Sequence, residues 1–247
     1  VVGLLRRAAH AIAQAGQVAR SEAKAMLRLA AANGIDTLDT AISYGESEVC
    51  LGEAGVQPFN LVTKLPALPV SCSDVRAWVR EQLALSLRRL GLPGVHGFLL
   101  HRSADLLGKD GAMLWHALED LRNSGLVKKI GVSVYAPSEL EAVARLYRLD
   151  LVQAPFNIVD RRLSTSGWLD RLKDDGVEVH TRSVFLQGLL LMPPSSLPPE
   201  FSSWHAFFGR WHKWLSANDI PPLQACLSFL LGYSQIDRVV VGADSVQ

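Results

Sequence analysis

The chain of 247 residues lacks the features that mark several large classes of protein. It has no excess of charge, since 25 Lys and Arg stand against 24 Asp and Glu, and such a balance gives no basic surface for nucleic acid or an anionic membrane. Cys50, Cys72 and Cys226 are scattered and odd in number, which argues against a disulfide framework and favours a reducing compartment. No apolar run reaches the roughly 18 residues that a membrane-spanning helix needs. The charges of residues 1–7 follow the apolar residues there, the reverse of a signal peptide. The sequence therefore predicts a cytoplasmic protein that binds neither nucleic acid nor membrane.

Several chemical motifs are also missing. The histidines other than His101 and the three cysteines show no metal-ligand spacing, and neither HExxH nor the GxSxG elbow of hydrolases occurs. The sequence predicts no metal site.

Short apolar segments alternate along the chain with longer segments in which apolar residues have helical spacing. Short apolar segments predict strands at residues 35–40, 59–64, 95–100, 127–132, 151–154, 177–181 and 236–241. Helical spacing predicts helices at residues 20–32, 73–90, 112–123, 137–146, 163–173 and 223–231. Strands that are apolar throughout, alternating with helices, favour an α/β fold with a parallel sheet covered by helices.

A (β/α)8 TIM barrel needs one more strand than this pattern contains, and a further helix at the end of the chain. Residues 1–5 are a candidate first strand, and residues 245–247 resemble the start of an eighth helix. A doubly wound sheet is the alternative, but it usually carries a glycine-rich phosphate loop, and the chain contains neither GxGxxG nor GxxxxGK[ST]. We therefore predict a single (β/α)8 barrel domain over residues 1–247, with an aberrant or incomplete first strand and a missing last helix. A Pro- and Trp-rich insertion at about residues 192–222 is expected to form a small packed subdomain.

Four polar side chains stand where an active site of such a barrel is built, at the carboxyl ends of strands and in the loops that follow. Asp39 ends one predicted strand, Tyr44 lies in the loop after it, and Lys64 and His101 end the next two strands. Taken singly, each has a structural explanation, such as a lysine that extends to solvent. Adjacent strands lie about 5 Å apart, so four such residues at consecutive strand ends favour one shared pocket.

These residue types suit the protonation of a carbonyl oxygen. A tyrosine hydroxyl is a weak acid at neutral pH unless a cation stabilises its phenolate, and Lys64 is the candidate cation. Asp39 is expected to hold the lysine charged through an ion pair, and His101 to orient the substrate oxygen. No side chain donates hydride, so a nicotinamide cofactor is implied.

The sequence Gly-Ile-Asp-Thr-Leu-Asp-Thr-Ala-Ile-Ser-Tyr-Gly at residues 34–45 closely resembles the signature of the aldo-keto reductase superfamily, here its bacterial members. The resemblance runs from about Arg20 to the end of the chain. Further similar segments are residues 47–48, 51–52, 62–64, 100–101, 125–133, 151–153, 156–157 and 242–246.

The resemblance implies an oxidoreductase that reduces an aldehyde or ketone to an alcohol, with tyrosine as the general acid and NADP(H) favoured over NAD(H). The catalytic tetrad of the family corresponds to Asp39, Tyr44, Lys64 and His101. The implied cofactor-binding residues are Ser133, Gln153, Asn157, Arg182 and Ser183. The implied partner is a small carbonyl compound, and no oligomeric state follows.

Three features depart from the family pattern. Residues 1–17 lack the glycine-containing turn over the cofactor, and Arg182 stands where an aromatic side chain often stacks on the nicotinamide. The sequence ends at Gln247, before the segment that usually binds the adenosine 2′-phosphate. An alternative function is therefore a catalytically weak or inactive member that senses nucleotides or binds another protein.

Overall fold

A computed structural model describes residues 18–246 of the chain. Within this range seven parallel strands form one sheet, in which each strand pairs with the next along the chain. The strands are β1 Thr37–Asp39, β2 Asn60–Leu65, β3 Val95–Leu100, β4 Val127–Ser133, β5 Leu151–Pro155, β6 Glu178–Arg182 and β7 Arg238–Val239. The predicted α/β fold with a parallel sheet is confirmed. The predicted first strand at residues 1–5 lies outside the described residues.

Helices lie between the strands, and their ends follow local sequence signals. The longest begins where the Asp74 carboxylate accepts a hydrogen bond of 2.9 Å from the amide of Ala77, and it ends at Gly91, whose φ of +64° is left-handed. The α-helices are α1 Arg20–Ala32, α2 Ser47–Ala54, α3 Val75–Leu90, α4 Gly111–Asn123, α5 Pro137–Val143, α6 Arg162–Thr165, α7 Trp168–Asp174, α8 His205–Ala217 and α9 Pro222–Leu231.

The structure differs from the sequence expectation at four elements. The helix predicted at residues 163–173 is divided into α6 and α7, because Gly167 adopts a φ of +77° between them. Helix α2 has no predicted counterpart, since eight residues give too short a stretch for a clear helical period. Strand β7 comprises two residues instead of the predicted 236–241. Residues 245–246 are not helical, and Gln247 lies outside the described range.

The two ends of the sheet approach each other. The guanidinium of Arg238 on β7 contacts the Asp36 carboxylate at 2.8 and 3.1 Å and the Thr37 hydroxyl at 3.2 Å. No backbone pairing joins β1 to β7 within residues 18–246. The sheet is thus curved as in a barrel, and closure by an eighth strand stays a prediction.

The apolar residues form two separate layers. The large core lies between the sheet and its helices, with residues such as Phe98, Ile130 and Leu118 fully buried. Val62, Leu99 and Leu151 form a small cluster of their own and are also fully buried. Val62 lies two residues before Lys64 on β2, and Leu99 is in register with Lys64 on β3. The small cluster therefore fills the inside of the curved sheet, next to the buried lysine.

The insertion at about residues 192–222 packs against the main core. It contains two short 3₁₀ helices, Pro194–Ser196 and Pro199–Trp204, followed by α8. The indole nitrogen of Trp211 donates to the carbonyl of Leu190 at 3.0 Å. Its ring stacks on Trp214, with centroids 5.7 Å apart. These contacts join the insertion to the rest of the chain, and its organisation as a small subdomain stays a prediction.

A charged network lies near the amino-terminal ends of three strands. The Glu178 carboxylate on β6 accepts from Nε2 of His96 on β3 at 3.1 Å, and it also contacts His180 and the ammonium of Lys129 on β4. Burial alone would raise the pKa of Glu178, but hydrogen bonds from His180, His96 and Lys129 outweigh it and hold the pKa below the ordinary 4.5. The ionised carboxylate therefore stabilises the folded state.

We expect Glu178→Gln to lower the free energy of unfolding by about 3 kcal/mol at pH 7, because it leaves Lys129 and His96 without their shared anion. Since the folded-state pKa is depressed, the contribution is fully present above the unfolded pKa, near 4.5, and is lost progressively as the pH falls from there toward the much lower folded-state pKa. Urea titrations at pH 7 and pH 4 measure the cost of the substitution and the beginning of this loss. Glu141→Gln, which removes the partner of the exposed Arg145, is the control and should cost less than about 1 kcal/mol. Equal losses in the two variants would contradict the role of the network.

Within residues 18–246, no helix has the length and apolar character needed to cross a membrane.

Candidate active site

A cavity of about 730 Å³ opens at the carboxyl-terminal ends of the strands. This is the end of a parallel barrel at which active sites are built. Every residue that the sequence predicted for the site lines this cavity, with the exception of Lys64, which is buried. The predicted residues in its wall are Asp39, Tyr44, His101, Ser133, Gln153, Asn157, Arg182 and Ser183.

A buried ion pair joins β1 to β2. The Lys64 ammonium lies 2.6 Å from Oδ2 of Asp39 and donates to the Thr40 carbonyl at 2.8 Å. The other carboxylate oxygen, Oδ1, accepts a hydrogen bond of 2.7 Å from the amide of Gln153 on β5. Asp39 is therefore fixed on both sides, by a lysine and by an amide from across the site.

Tyr44 and His101 lie together at the cavity wall. Their rings meet edge to face, with centroids 5.6 Å apart, and the Lys64 ammonium lies 5.4 Å from the tyrosine ring centroid. Nδ1 of His101 is 3.1 Å from the hydroxyl of Ser43. Tyr44 is 49% exposed, so its hydroxyl group is accessible from solvent.

The protonation states follow from burial and nearby charge. Partial burial and the Asp39 carboxylate raise the pKa of Tyr44 above its ordinary 10.0, although Arg182 opposes the rise. The Tyr44 hydroxyl is therefore protonated at neutral pH, and stabilisation of its phenolate by Lys64 stays a prediction. Burial lowers the pKa of Lys64, and the ion pair with Asp39 opposes this. Burial, Lys64 and Arg182 lower the pKa of His101 below its ordinary 6.5.

Ser133 and Gln153 present unused polar atoms to the cavity. They are neighbours in register on β4 and β5, and both residues are almost fully buried. The hydroxyl of Ser133 has no hydrogen-bond partner among residues 18–246, and Gln153 uses its NH₂ group on Asp39 while its carbonyl oxygen has no partner in the same range. A hydroxyl beside an amide carbonyl can bind a group that both accepts and donates hydrogen bonds.

Asn157 positions the wall of the cavity. Its Oδ1 accepts from the amides of Val159 and Asp160, and its NH₂ group donates to the Ser183 carbonyl at 3.0 Å. These contacts hold the loop after β5 against the loop after β6. The structure therefore gives Asn157 a positioning function, besides any contact with a ligand.

The loop after β6 has an unusual backbone. Ser183, Leu186 and Gln187 have φ values of +60°, +49° and +57°, which side chains other than glycine rarely adopt. In the described part of the chain the amides of Gln187 and Gly188 donate to no other group. Successive free amides in such a conformation form a concave site for an anion.

Arg182 spans the cavity wall between two strands. Its Nη2 donates to the Val134 carbonyl at 3.0 Å, and its guanidinium carbon lies 4.4 Å from the centroid of the Tyr135 ring. Its Nη1 is 3.4 Å from the Ser183 hydroxyl. The arginine thus occupies a position that the sequence had marked for stacking or phosphate binding.

Sequence reasoning missed several residues of the cavity. Arg162 follows Asp160 by two positions and forms two hydrogen bonds to its carboxylate, of 2.8 and 2.7 Å. The pair Arg161–Arg162 is typical of a solvated helix start, yet Arg162 turns into the wall. Tyr135 and Gln187 also line the cavity and carried no distinct sequence signal, and Asp244 lines it from the family-like segment 242–246 without having been assigned to the site. Among the residues that the structure describes, no three His, Cys, Asp or Glu side chains are placed to hold a metal ion.

The sequence profile of the Aldo/keto reductase family matches residues 8–247. The chain belongs to the aldo/keto reductase family. One curated relative, an NADH-specific methylglyoxal reductase of Escherichia coli, is 27% identical over 187 residues, which are 64% of this chain and 54% of the relative. A second, an L-glyceraldehyde 3-phosphate reductase of the same organism, is 26% identical over 205 residues, which are 72% of this chain and 58% of the relative. This aldo/keto reductase chain thus spans little more than half the length of these relatives.

Solved structures of aldo/keto reductases share the fold. The holo form of an aldo-keto reductase from Bacillus halodurans has a TM-score of 0.76 at 23% identity, covering 93% of this chain and 80% of its own. A glycerol dehydrogenase from Gluconobacter oxydans has a TM-score of 0.69 at 19% identity, covering 91% and 77%. At such identities the likeness concerns the fold.

Proposed function

We propose that this aldo/keto reductase is an NAD(P)H-dependent oxidoreductase that reduces an aldehyde or ketone to an alcohol. The observation that carries the proposal is the meeting of Tyr44, His101 and the buried Lys64–Asp39 pair at one cavity. Family membership and the reductase names of the relatives favour turnover over the nucleotide-sensing alternative. The two relatives are named for small carbonyl compounds, which supports the same substrate class here.

In this proposal Tyr44 is the general acid. Its raised pKa keeps the hydroxyl protonated at neutral pH, as a proton donor requires. Its proton passes to the carbonyl oxygen, and solvent at the exposed side of the ring returns a proton to the phenolate. Lys64, held charged by Asp39, stabilises that phenolate while it exists.

His101 orients the substrate in its neutral form, which its lowered pKa favours. When the Ser43 hydroxyl donates to Nδ1, the ring proton resides on Nε2, where it can be donated to the carbonyl oxygen. Two donors, Tyr44 and His101, then meet the oxygen on which negative charge develops.

The described residues fit a nicotinamide dinucleotide. The hydroxyl of Ser133 and the free carbonyl oxygen of Gln153 suit a carboxamide, which offers one acceptor and two donors. The free amides of Gln187 and Gly188 suit a phosphate. When bound in its reduced form, this cofactor supplies the hydride that the carbonyl carbon accepts. The sequence favours NADP(H), whereas one relative is named NADH-specific, so both cofactors belong in the test.

The proposal is tested by titrating the protein with NADPH and with NADH, with cofactor fluorescence as the signal, and then adding a reactive aromatic aldehyde. We expect saturable binding of at least one cofactor and loss of its absorbance after the aldehyde is added. Binding without oxidation across a panel of aldehydes and ketones would support the sensing alternative. Absence of binding by both cofactors would reject the proposal.

A further inference from the structure

Arg182 is rigidly held, yet its charge is not neutralised. Its guanidinium is fixed by the Val134 carbonyl on one side and by the ring of Tyr135 on its face. Within residues 18–246 no carboxylate pairs with it. A guanidinium oriented in advance loses little freedom on binding a ligand, and its planar fork matches a carboxylate or phosphate.

The other two cations at the site are already neutralised. Lys64 is paired with Asp39 at 2.6 Å, and Arg162 is paired with Asp160 at 2.7 Å. Asp244 also lines the cavity, but it lies on the exposed segment after β7. Arg182 is therefore the cation of the described wall that remains available to a ligand.

The charge of Arg182 acts at the reacting groups. It contributes to the lowered pKa of His101 and of Lys64, and it opposes the rise in the pKa of Tyr44. Besides burial, the charges of Lys64 and Arg182 lower the pKa of His101, and the charge of Asp39 raises it. The positive charge of Arg182 therefore acts at the group that would orient the carbonyl.

We infer that Arg182 binds an anionic group, a carboxylate or a phosphate, that the carbonyl substrate carries. The inference rests on the proposed function and adds the class of substrate to it. The phosphates of the cofactor are a second source of the same chemistry. In a nicotinamide dinucleotide a ribose separates the reacting ring from the nearest phosphate, whereas Arg182 lines the same cavity as His101 and Tyr44 and its charge contributes to the pKa of both. The substrate is therefore the favoured source.

The test compares 4-carboxybenzaldehyde with 4-formylbenzamide, which have nearly the same shape and differ in charge. For the unmodified protein we expect kcat/KM to be about 10- to 100-fold higher for the carboxylate, the range for a hydrogen bond to a charged group. Arg182→Gln should reduce this ratio to about one, and Arg182→Lys should retain part of it. Arg161→Gln is the matched control, because Arg161 packs on Phe229 and does not line the cavity. Calorimetric binding of both compounds, with and without cofactor, gives the same comparison without turnover.

The outcomes separate the two anion sources and the two proposals. A ratio that is unchanged in Arg182→Gln while the cofactor Kd rises tenfold would assign Arg182 to the cofactor and overturn the inference. An unchanged ratio with unchanged cofactor binding would overturn it as well. If neither aldehyde is reduced but the carboxylate still binds more tightly through Arg182, the proposed function fails and the anion site stands.

Discussion

Tyr44→Phe is expected to lower kcat for aldehyde reduction by about 10²- to 10⁴-fold, the usual contribution of a general acid. The substitution removes one hydroxyl and leaves the ring, which packs against His101 and lies beside the Lys64 ammonium. The hydroxyl has no hydrogen-bond partner among residues 18–246, so neither stability nor cofactor Kd should change appreciably. Steady-state kinetics, urea unfolding and cofactor titration measure the three quantities.

Tyr135→Phe is the control for this experiment, because Tyr135 is a second tyrosine in the wall of the same cavity. A loss of activity in Tyr135→Phe as large as in Tyr44→Phe would remove Tyr44 from its assigned role.

The acid function of Tyr44 also implies that the activity changes little with pH near neutrality. With the pKa of Tyr44 above 10.0 and that of His101 below 6.5, kcat/KM for an uncharged aldehyde should be constant from about pH 7 to 9. A titration inside this interval would show that a further group, such as Lys64 with its lowered pKa, ionises in the reaction.

Gly131→Ala is expected to cost roughly 4 kcal/mol or more in the free energy of unfolding, among the largest effects of a single substitution. A Cβ atom at this position of β4 would lie 1.7 Å from the carbonyl oxygen of Leu151 on β5. The obstructing oxygen belongs to the backbone of Leu151. It cannot move without breaking the pairing of the two strands that carry Ser133 and Gln153.

Gly97→Ala is the matched control on the neighbouring strand. Its Cβ would meet side-chain atoms of Val62 at 3.1 Å and of Leu151 at 3.3 Å, and side chains can shift. We expect a loss of about 1 kcal/mol for this variant. Urea unfolding followed by circular dichroism compares the two, and similar midpoints would contradict the steric argument at Gly131.

The parts of the fold that sequence reasoning predicted are those with a repeated local signal. Strands β2 to β6 are segments of five to seven residues between helices, and their positions agree with the prediction to within about one residue. The polar residues at their ends met in one cavity because parallel strands end at the same edge of the sheet. Helix α2 and the break at Gly167 were missed, since each depends on a few residues and on packing against its neighbours.

Contacts between distant residues could not be predicted from a single sequence. The hydrogen bond from Gln153 to Asp39 joins positions 114 residues apart. The pairing of Arg162 with Asp160, although only two positions apart, was missed because it requires that the loop after β5 turn toward the cavity. The network around Glu178 joins three strands whose residues resemble ordinary solvated positions. In each case the sequence showed which types of side chain were present, but it did not show which of them would be in contact.

The small cluster of Val62, Leu99 and Leu151 has a consequence for proton supply. All three residues are fully buried beside Lys64, so they form an apolar layer inside the curved sheet. Among the described residues, they cover the lysine with apolar surface on that side. In the proposed reaction, the proton that Tyr44 gives up is then returned through the mouth of the cavity, where the tyrosine is half exposed. A higher solvent viscosity, or a bulky substrate that covers the tyrosine, should then slow the reprotonation of Tyr44, because the proton and the substrate enter by the same route.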